Sequence, residues 1–576
     1  YIALNNKPIY LQTTLDQSYH PDGFYTFPSD EFMRKEIQLC KDIGLNGLRT
    51  HIKIDVPRKL YWADKLGLLV MSDLPNSWGE PDEAMQVESE RTLREMIRRD
   101  FNHPAIFSWI VLNETWGLST NFAAEGEKEN RVYLPKTQNW VASMYYLAKS
   151  LDETRLVEDN SICCGRGHTE TDINSWHEYL PGYAWEGHMA NLVKNTYEGS
   201  EFHFEKGFKQ GNQPMINSEC GNVWGYDGST GDVDWSYDYH QMMNVFRKYP
   251  QMAGWLYTEH HDVINEWNGY WRFDRSPKLT GIDELANGMK ESDFHSLIYL
   301  STGNEITRTV KAGEKAKIPL FVSSMTDKII DGTNLVITHW ISGIDYTGNS
   351  FTGKKQTFKV PYRAWMQQEL AQLVVDVPKL QGVYQVIFEV KDDGGALHHR
   401  NFFTLDVQEG RDAESYQILE VKPDGFVAEK WSEKSWKAIN GLKMNGAGTG
   451  FFEYDFRGKV TNPKSGYLLM EIGAKKLFAK DRDGAKLGNI DYMLGGIADP
   501  SQNKNAYPMT DVYMTPSNIE ISIDGKSVDK RTLSDDPADH RGVLSWHYQL
   551  RNRKLDEAGS YGYLVKVPLS SSQLKS

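Results

Sequence analysis

Cysteine is scarce: the 576 residues contain four, Cys40, Cys163, Cys164 and Cys220. Their spacing fits neither a zinc site nor a disulfide framework, so the adjacent Cys163 and Cys164 are expected to be simply buried. No run of about 20 apolar residues is present, so no membrane-spanning helix is expected. No signal peptide is visible, but the chain opens at Tyr1 without an initiator Met, and that absence decides nothing. No repeat or low-complexity tract stands out. Basic residues are outnumbered, 64 Lys and Arg against 78 Asp and Glu, for a formal charge of −14. That balance argues against nucleic acid or an anionic membrane surface as a partner.

The length is too great for one domain, and aromatics are plentiful, with 17 Trp and 30 Tyr. The most informative stretch runs from Asn102 to Leu118. Ile106–Leu112 is a near-continuous apolar run, as in a strand buried on both faces. It ends abruptly in Asn113-Glu114, and in a barrel of parallel strands that end is where chemistry sits. Alone, Glu114 could equally cap the following turn. A second segment, Pro214-Met215-Ile216-Asn217-Ser218-Glu219-Cys220-Gly221, is again a short apolar strand ending in a carboxylate. Two strand-terminal glutamates suit a glycosidase, in which one carboxyl group protonates the leaving oxygen and the other attacks the sugar or activates water.

With those motifs in place, the sequence resembles glycoside hydrolase family 2, the β-galactosidase, β-glucuronidase and β-mannosidase family. Asn102-His103-Pro104 through Asn113-Glu114 looks like its acid/base motif, and Ile216 to Gly221 like its nucleophile motif. The resemblance implies a (β/α)8 barrel over 1–288, and eight strand–helix units can be followed there. Strands are expected near 9–15, 45–50, 68–73, 106–112, 155–160, 172–179, 214–219 and 251–257, with helices over 30–43, 56–66, 80–100 and 139–151. Ser29 or Asp30 is a plausible N-cap for the first helix. The jelly roll and immunoglobulin-like domain that usually precede the family's barrel are not found before it here: either the chain lacks its front half or this branch is built differently.

The resemblance also assigns roles. Glu219 is the expected nucleophile, Glu114 the acid/base and Asn113 the donor to a sugar 2-hydroxyl. Arg49-Thr50-His51 looks like the family's Arg-x-His element; Arg49 would brace the nucleophile or form a structural salt bridge beneath the mouth. Trp176, His177 and Tyr179 compete to hydrogen-bond the nucleophile; Tyr179 is favoured, with His177 as a sugar-hydroxyl ligand. Trp255 resembles the tryptophan flooring the terminal sugar subsite. Glu259, His260, His261 and Asp262 could hold a metal, but their spacing matches no zinc motif, so direct sugar contacts are preferred and no metal or other cofactor is expected. Phe273 to Lys278 resembles the family's closing Asp-Arg-x-Pro-Lys. Asn222, three residues past the nucleophile, stands where β-galactosidases tend to have His and β-glucuronidases Asp. Asn268-Gly269-Tyr270 lacks the lysine of the glucuronidase carboxylate clamp. A neutral sugar follows, with galactose the default, although Arg166, His168, His177, His260 and His261 could suit a uronic or sulfated sugar.

After residue 288 the texture alternates. Residues 289–408 are expected to form an immunoglobulin-like β-sandwich, 408–415 a linker, and 416–576 a jelly-roll-like sandwich of carbohydrate-binding type. Asp481-Arg482-Asp483-Gly484 is a calcium loop or, more simply, a turn. The whole reads as a retaining exo-β-glycosidase with a carbohydrate substrate, without nucleic-acid or membrane partners, compatible with homo-oligomerisation, and periplasmic or secreted rather than cytoplasmic. Its rivals are a catalytically silent carbohydrate-binding protein and a lyase-type barrel, which would want a strand-end lysine or metal cluster.

Overall fold

The computed structural model describes the chain except for residues 78–80, 115–117, 119, 122–131, 164, 181, 222–234, 264–267, 279, 281, 411–415, 439–440, 442, 459, 474–515, 534–562 and 575–576. Asn222 and Asp481 to Gly484 therefore lie outside the described residues.

Eight parallel strands form one sheet: β1 Leu11–Asp16, β2 Gly47–Thr50, β3 Leu69–Asp73, β4 Ile106–Ile110, β5 Leu156–Glu158, β6 Asn174–Glu178, β7 Met215–Cys220 and β8 Met252–Tyr257. Its order is β6-β7-β8-β1-β2-β3-β4-β5. The β5–β6 seam is closed by single contacts, with Asp172 N–H donating to the Val157 carbonyl at 2.9 Å and His177 N–H to that of Ile162 at 2.8 Å. The result is a (β/α)8-type barrel. Leu11, Leu15, Met71, Ile110, Ile216 and Leu256 fill its interior, while alternate residues of the same strands pack outward against the helices. Both strand faces are thus apolar, as in parallel sheets generally. β8 presses on β1 at Gly254, where a Cβ would lie 2.6 Å from the Leu11 carbonyl oxygen.

The helices follow their local signals. In α1, Asp30–Asp42, the Ser29 hydroxyl accepts from Phe32 N–H, so Ser29 is the cap; α2, Pro57–Leu66, opens on proline and stops at Gly67 in the left-handed region. In α3, Glu83–Asp100, Asp82 caps the first turn, which moves the start three residues past the expected one. α4, Pro135–Leu151, begins four residues earlier than its apolar period suggests because Pro135 opens its first turn. α5 spans Trp185–Asn195 and α6 His240–Phe246. Among the described residues no helix is long and apolar enough to cross a membrane.

Antiparallel sheets follow. A three-stranded sheet (Ile298–Ser301, Lys315–Ser324, Met366–Asp376) and a six-stranded one that includes Asn334–Asp345, Gly382–Asp392 and Leu397–Gln408 enclose a common core containing Ile318, Leu320, Val386 and Phe403. All seven residues of α6 are buried, because this helix is wedged between barrel and sandwich. Asn244 accepts from the Tyr299 hydroxyl at 2.9 Å and from the Asn401 amide at 3.2 Å, and Arg247 donates to Ser323 and to the Ser296 and Leu297 carbonyls. Beyond residue 416 the described strands form four two-stranded antiparallel sheets. Cys40 and Cys220 are buried free thiols. Cys163 departs from expectation: it sits on the loop after β5, half-buried and disulfide-bonded.

Candidate active site

Every polar group of the site hangs from the C-terminal end of a barrel strand. Glu219, on β7, is 4% exposed. Its Oε1 accepts from Arg49 Nη1 at 3.1 Å and its Oε2 from the Tyr179 hydroxyl at 2.7 Å. Of Trp176, His177 and Tyr179, it is Tyr179 that donates to this carboxylate, and burial beside Glu219 pushes its phenol well above the usual range. Trp176 faces outward into the core, stacked on His203.

Glu114 stands just past β4 with φ of 49°, a left-handed conformation that costs a non-glycine residue about 1–2 kcal/mol. Its N–H donates to the Ser161 carbonyl at 2.8 Å, and its carboxylate is partly exposed at the mouth. Oxygens of Glu114 and Glu219 lie within 4.8 Å of each other. Between them stands His177, with Nδ1 2.7 Å from Glu114 Oε1 and 3.4 Å from Glu219 Oε2. Its Nε2 is 2.7 Å from the Ser161 hydroxyl. Both ring nitrogens are therefore engaged by protein, which corrects the expectation that His177 is a sugar-hydroxyl ligand. Burial pushes it down to about 3, so the imidazole is neutral.

Arg49 is the hub. Its Nε and Nη2 fork onto Asp73 at 2.8–3.0 Å, Nη1 reaches Glu219 and Ser161, and Nη2 donates to Asn113 Oδ1 at 2.6 Å. The two readings of Arg49 merge, since one guanidinium makes both the structural pair and the contact to Glu219. Burial opposes its charge, but Asp73 and Glu219 outweigh that and hold it protonated. Because Asn113 Oδ1 is fixed by Arg49, its Nδ2 is turned away. That nitrogen is buried and has no hydrogen-bond partner among the described residues. Removing one member of such a buried ion cluster costs about 3–5 kcal/mol. Arg49→Met is accordingly expected to lose that much stability in chemical denaturation, and Asp73→Asn added to it to restore part; an unchanged midpoint would dismiss Arg49 as the hub.

His51 Nδ1 lies 3.7 Å from both Asp73 and Glu219, at the mouth side of the cluster. Trp255 does not floor the mouth: it is fully buried among the outward-facing core residues, its ring 5.3 Å from that of His295. The residue after β8 that reaches the site is Thr258, whose hydroxyl lies 3.2 Å from that of Tyr179 and donates to it, because the one phenol proton goes to Glu219. Glu259, His260 and His261 are buried rather than open to a ligand. His261 belongs with Asp16 and Glu36 to a three-donor cluster, but Lys59 pairs with Asp16, and Arg275 with Glu36 at 2.8 Å, so its acids are already neutralised. Lys278 likewise pairs with Asp262 at 2.8 Å, so the closing Asp-Arg-x-Pro-Lys segment clamps the barrel with its two cations. His168 is buried against Asp159 at 2.8 Å, which removes it too from the candidate sugar contacts. Ser161, Ser218 and Asn76 escaped sequence reasoning. Ser161 and Ser218 share a hydroxyl hydrogen bond of 2.9 Å, and the Asn76 side chain accepts from Asn113 N–H at 2.6 Å. Small polar residues at strand ends carry no pattern of their own, and only the strand-end position marks them.

Residues 1–270 match the family model described as glycosyl hydrolases family 2, TIM barrel domain. A putative β-glucuronidase of Formosa agariphila is 30% identical over 155 residues, 26% of this chain and 18% of that protein. A β-galactosidase of Thermoanaerobacter pseudethanolicus is 38% identical over 19% of this chain and 15% of that protein. Among solved structures, β-glucuronidase 3 of Bacteroides uniformis aligns over 75% of this chain and 52% of that one, at 16% identity and a TM-score of 0.40. The chain spans under a third of the length of the curated relatives it matches first.

Proposed function

Because residues 1–270 belong to glycoside hydrolase family 2, we propose that the chain is a retaining exo-β-glycosidase acting on a terminal β-linked sugar of an oligo- or polysaccharide. The observation that carries this reading is the Glu114–Glu219 pair, with oxygens within 4.8 Å of each other at the barrel mouth. Retaining enzymes hold their two carboxyl groups about 5–5.5 Å apart, whereas inverting ones leave room for a water between them. Glu219 attacks the anomeric carbon as the bond to the leaving oxygen breaks, and Glu114 gives its proton to that oxygen. Water then enters, Glu114 takes one of its protons, and the hydroxyl displaces Glu219 with net retention. Arg49 and Tyr179 hold Glu219 by charge-assisted and hydroxyl hydrogen bonds. The unpartnered Asn113 Nδ2 is a ready donor for the sugar 2-hydroxyl, where contacts strengthen in the transition state.

For the sugar, galactose is favoured over a uronic acid. The histidines that could have read a carboxylate, His168, His177, His260 and His261, are buried, and the first two are already engaged by protein groups. The experiment is hydrolysis of aryl β-galactoside, glucuronide, mannoside, glucoside and arabinopyranoside, beside the Glu219→Gln variant. Turnover of the galactoside, lost in the variant, is expected. Preference for the glucuronide would replace the sugar but keep the mechanism. Silence on every glycoside, with polysaccharide binding intact, would leave a carbohydrate-binding protein.

A further inference from the structure

The loop after β1 carries two large aromatic side chains in water at the same end of the barrel as Glu114 and Glu219. Phe24 is 61% exposed and Tyr25 62%. The loop is built rather than loose. His20 and Phe24 exchange backbone hydrogen bonds of 2.7 and 2.9 Å, and His20 Nδ1 accepts from the N–H groups of Asp22 and Gly23 at 3.2 Å. At Gly23 a Cβ would lie 2.2 Å from the Thr26 carbonyl oxygen, so no larger residue fits. Phe24 itself has φ of 55°, a conformation of stored strain for a residue of its size. Beneath, Tyr19 meets Phe24 and Tyr25 edge-on at 5.7 and 6.2 Å and stacks on Phe273 at 5.9 Å, while buried Arg275 donates to the Tyr19 carbonyl at 2.6 Å. Lys53 Nζ sits 4.6 Å from the centre of the Tyr25 ring and donates to the Ser18 carbonyl at 3.0 Å. One side of the Tyr25 ring is thus pinned by a tethered cation.

Exposing two aromatics and straining one of them both cost stability, and neither feature serves the core. We propose that Phe24 and Tyr25 form a sugar-stacking platform on the leaving-group side of the bond to be cleaved, receiving the apolar face of an uncharged sugar unit of the substrate chain. This rests on the glycosidase reading. The placement supports it: Lys53 is two residues past His51, about 7 Å at most along the backbone, and His51 Nδ1 is 3.7 Å from Glu219. The size fits as well. Two rings exposed to this extent offer on the order of 200–300 Å² of apolar surface, enough for a sugar face and far below the roughly 800 Å² per partner of a stable protein interface. Lys53 keeps its charge but is held against one side of the Tyr25 ring by the Ser18 carbonyl.

The test uses the full chain and its Tyr25→Ala and Tyr25→Phe variants. Initial rates are compared on the glycosyl fluoride of the sugar turned over best, whose leaving group is too small to reach the platform, and on β-linked oligosaccharides of the same sugar. Tyr25→Ala is expected to lower kcat/KM on the oligosaccharides about tenfold, the effect of one truncated aromatic anchor, and to leave the glycosyl fluoride within about twofold, with Tyr25→Phe close to wild type. Equal losses on both, or none on either, would overturn the platform. A second measurement needs no turnover: migration of the Glu219→Gln chain through gels containing galactan, arabinogalactan or polygalacturonate. Retardation by a neutral polymer that Tyr25→Ala abolishes supports the platform even where no glycoside is hydrolysed, which would sink only the glycosidase reading. Retardation by none of the three, or one that Tyr25→Ala leaves unchanged, would dismiss the platform.

Discussion

Glu219→Gln is expected to lower turnover by at least about 10⁴, since it removes the atom that would form the glycosyl-enzyme and losses of that size follow removal of a nucleophile. The amide keeps the volume, and its one carbonyl oxygen can still accept from Arg49 or Tyr179, so the fold should survive; an unchanged thermal midpoint is the control. Glu114→Ala should behave differently. On a saccharide or alkyl leaving group, which needs a proton, it is expected to lose about 10²–10⁴ in kcat/KM, the usual worth of a general acid. On a dinitrophenyl glycoside, whose leaving group needs none, the first step should be nearly unimpaired, and added azide should restore turnover to give the β-glycosyl azide. An α-azide would mean inversion and reverse the mechanism. Equal losses on both leaving groups would remove Glu114 from the acid role.

Acidification should produce the second large effect. His177, His203 and His399 are pushed down by burial to about 3, and His260 and His295 to about 4. In the unfolded chain each takes a proton near 6.5. Their folded values lie below their unfolded ones, so their contribution is whole above about pH 6.5 and drains away as pH falls toward 3–4. At about 1.4 kcal/mol per unit the set nominally reaches the order of 20 kcal/mol, against a total stability of about 5–15 kcal/mol. A third of it suffices. Asp238, raised to about 7 by burial, works the other way and gains as pH falls toward 4; His168, which Asp159 holds protonated against burial in the folded state, gains only as pH falls to about 6.5 and is constant below that. Burial also raises Glu158, Glu205, Asp262, Glu284 and Asp293, which offset part of the loss, but the five histidines are displaced further and decide the sign. Circular dichroism and tryptophan fluorescence from pH 8 to 3 should reveal cooperative unfolding near about pH 5. A chain still folded at about pH 3.5 would disprove the account.

How much of this was legible in the sequence follows from what each residue does for its strand. Glu114 and Glu219 stand out because each interrupts an apolar run at its end. Trp255 misled for the same physical reason that made the strands visible. A strand buried on both faces has no polar side, so nothing in Gly254-Trp255-Leu256 says which residue points into the barrel; the period of two turns Leu256 inward and Trp255 outward. His177 was placed near the site, but its partner Ser161 arrives from the loop after the neighbouring strand and carries no motif. The clamp of Arg275 on Glu36 joins residues 239 positions apart, a pairing only closure of the barrel creates. Local punctuation was more reliable: Ser29, Pro57 and Gly67 each mark a helix end where they stand.

The wedge of α6 sets the smallest piece that could be moved elsewhere. A fragment ending at residue 288 would bare one flank of a helix buried along its whole length and would take Tyr299, Ser323 and Asn401 away from Asn244 and Arg247. The smallest portable piece, for grafting or for minimal expression, is therefore 1–408, and a crossover placed at the apparent boundary between barrel and sandwich would sever a shared interior.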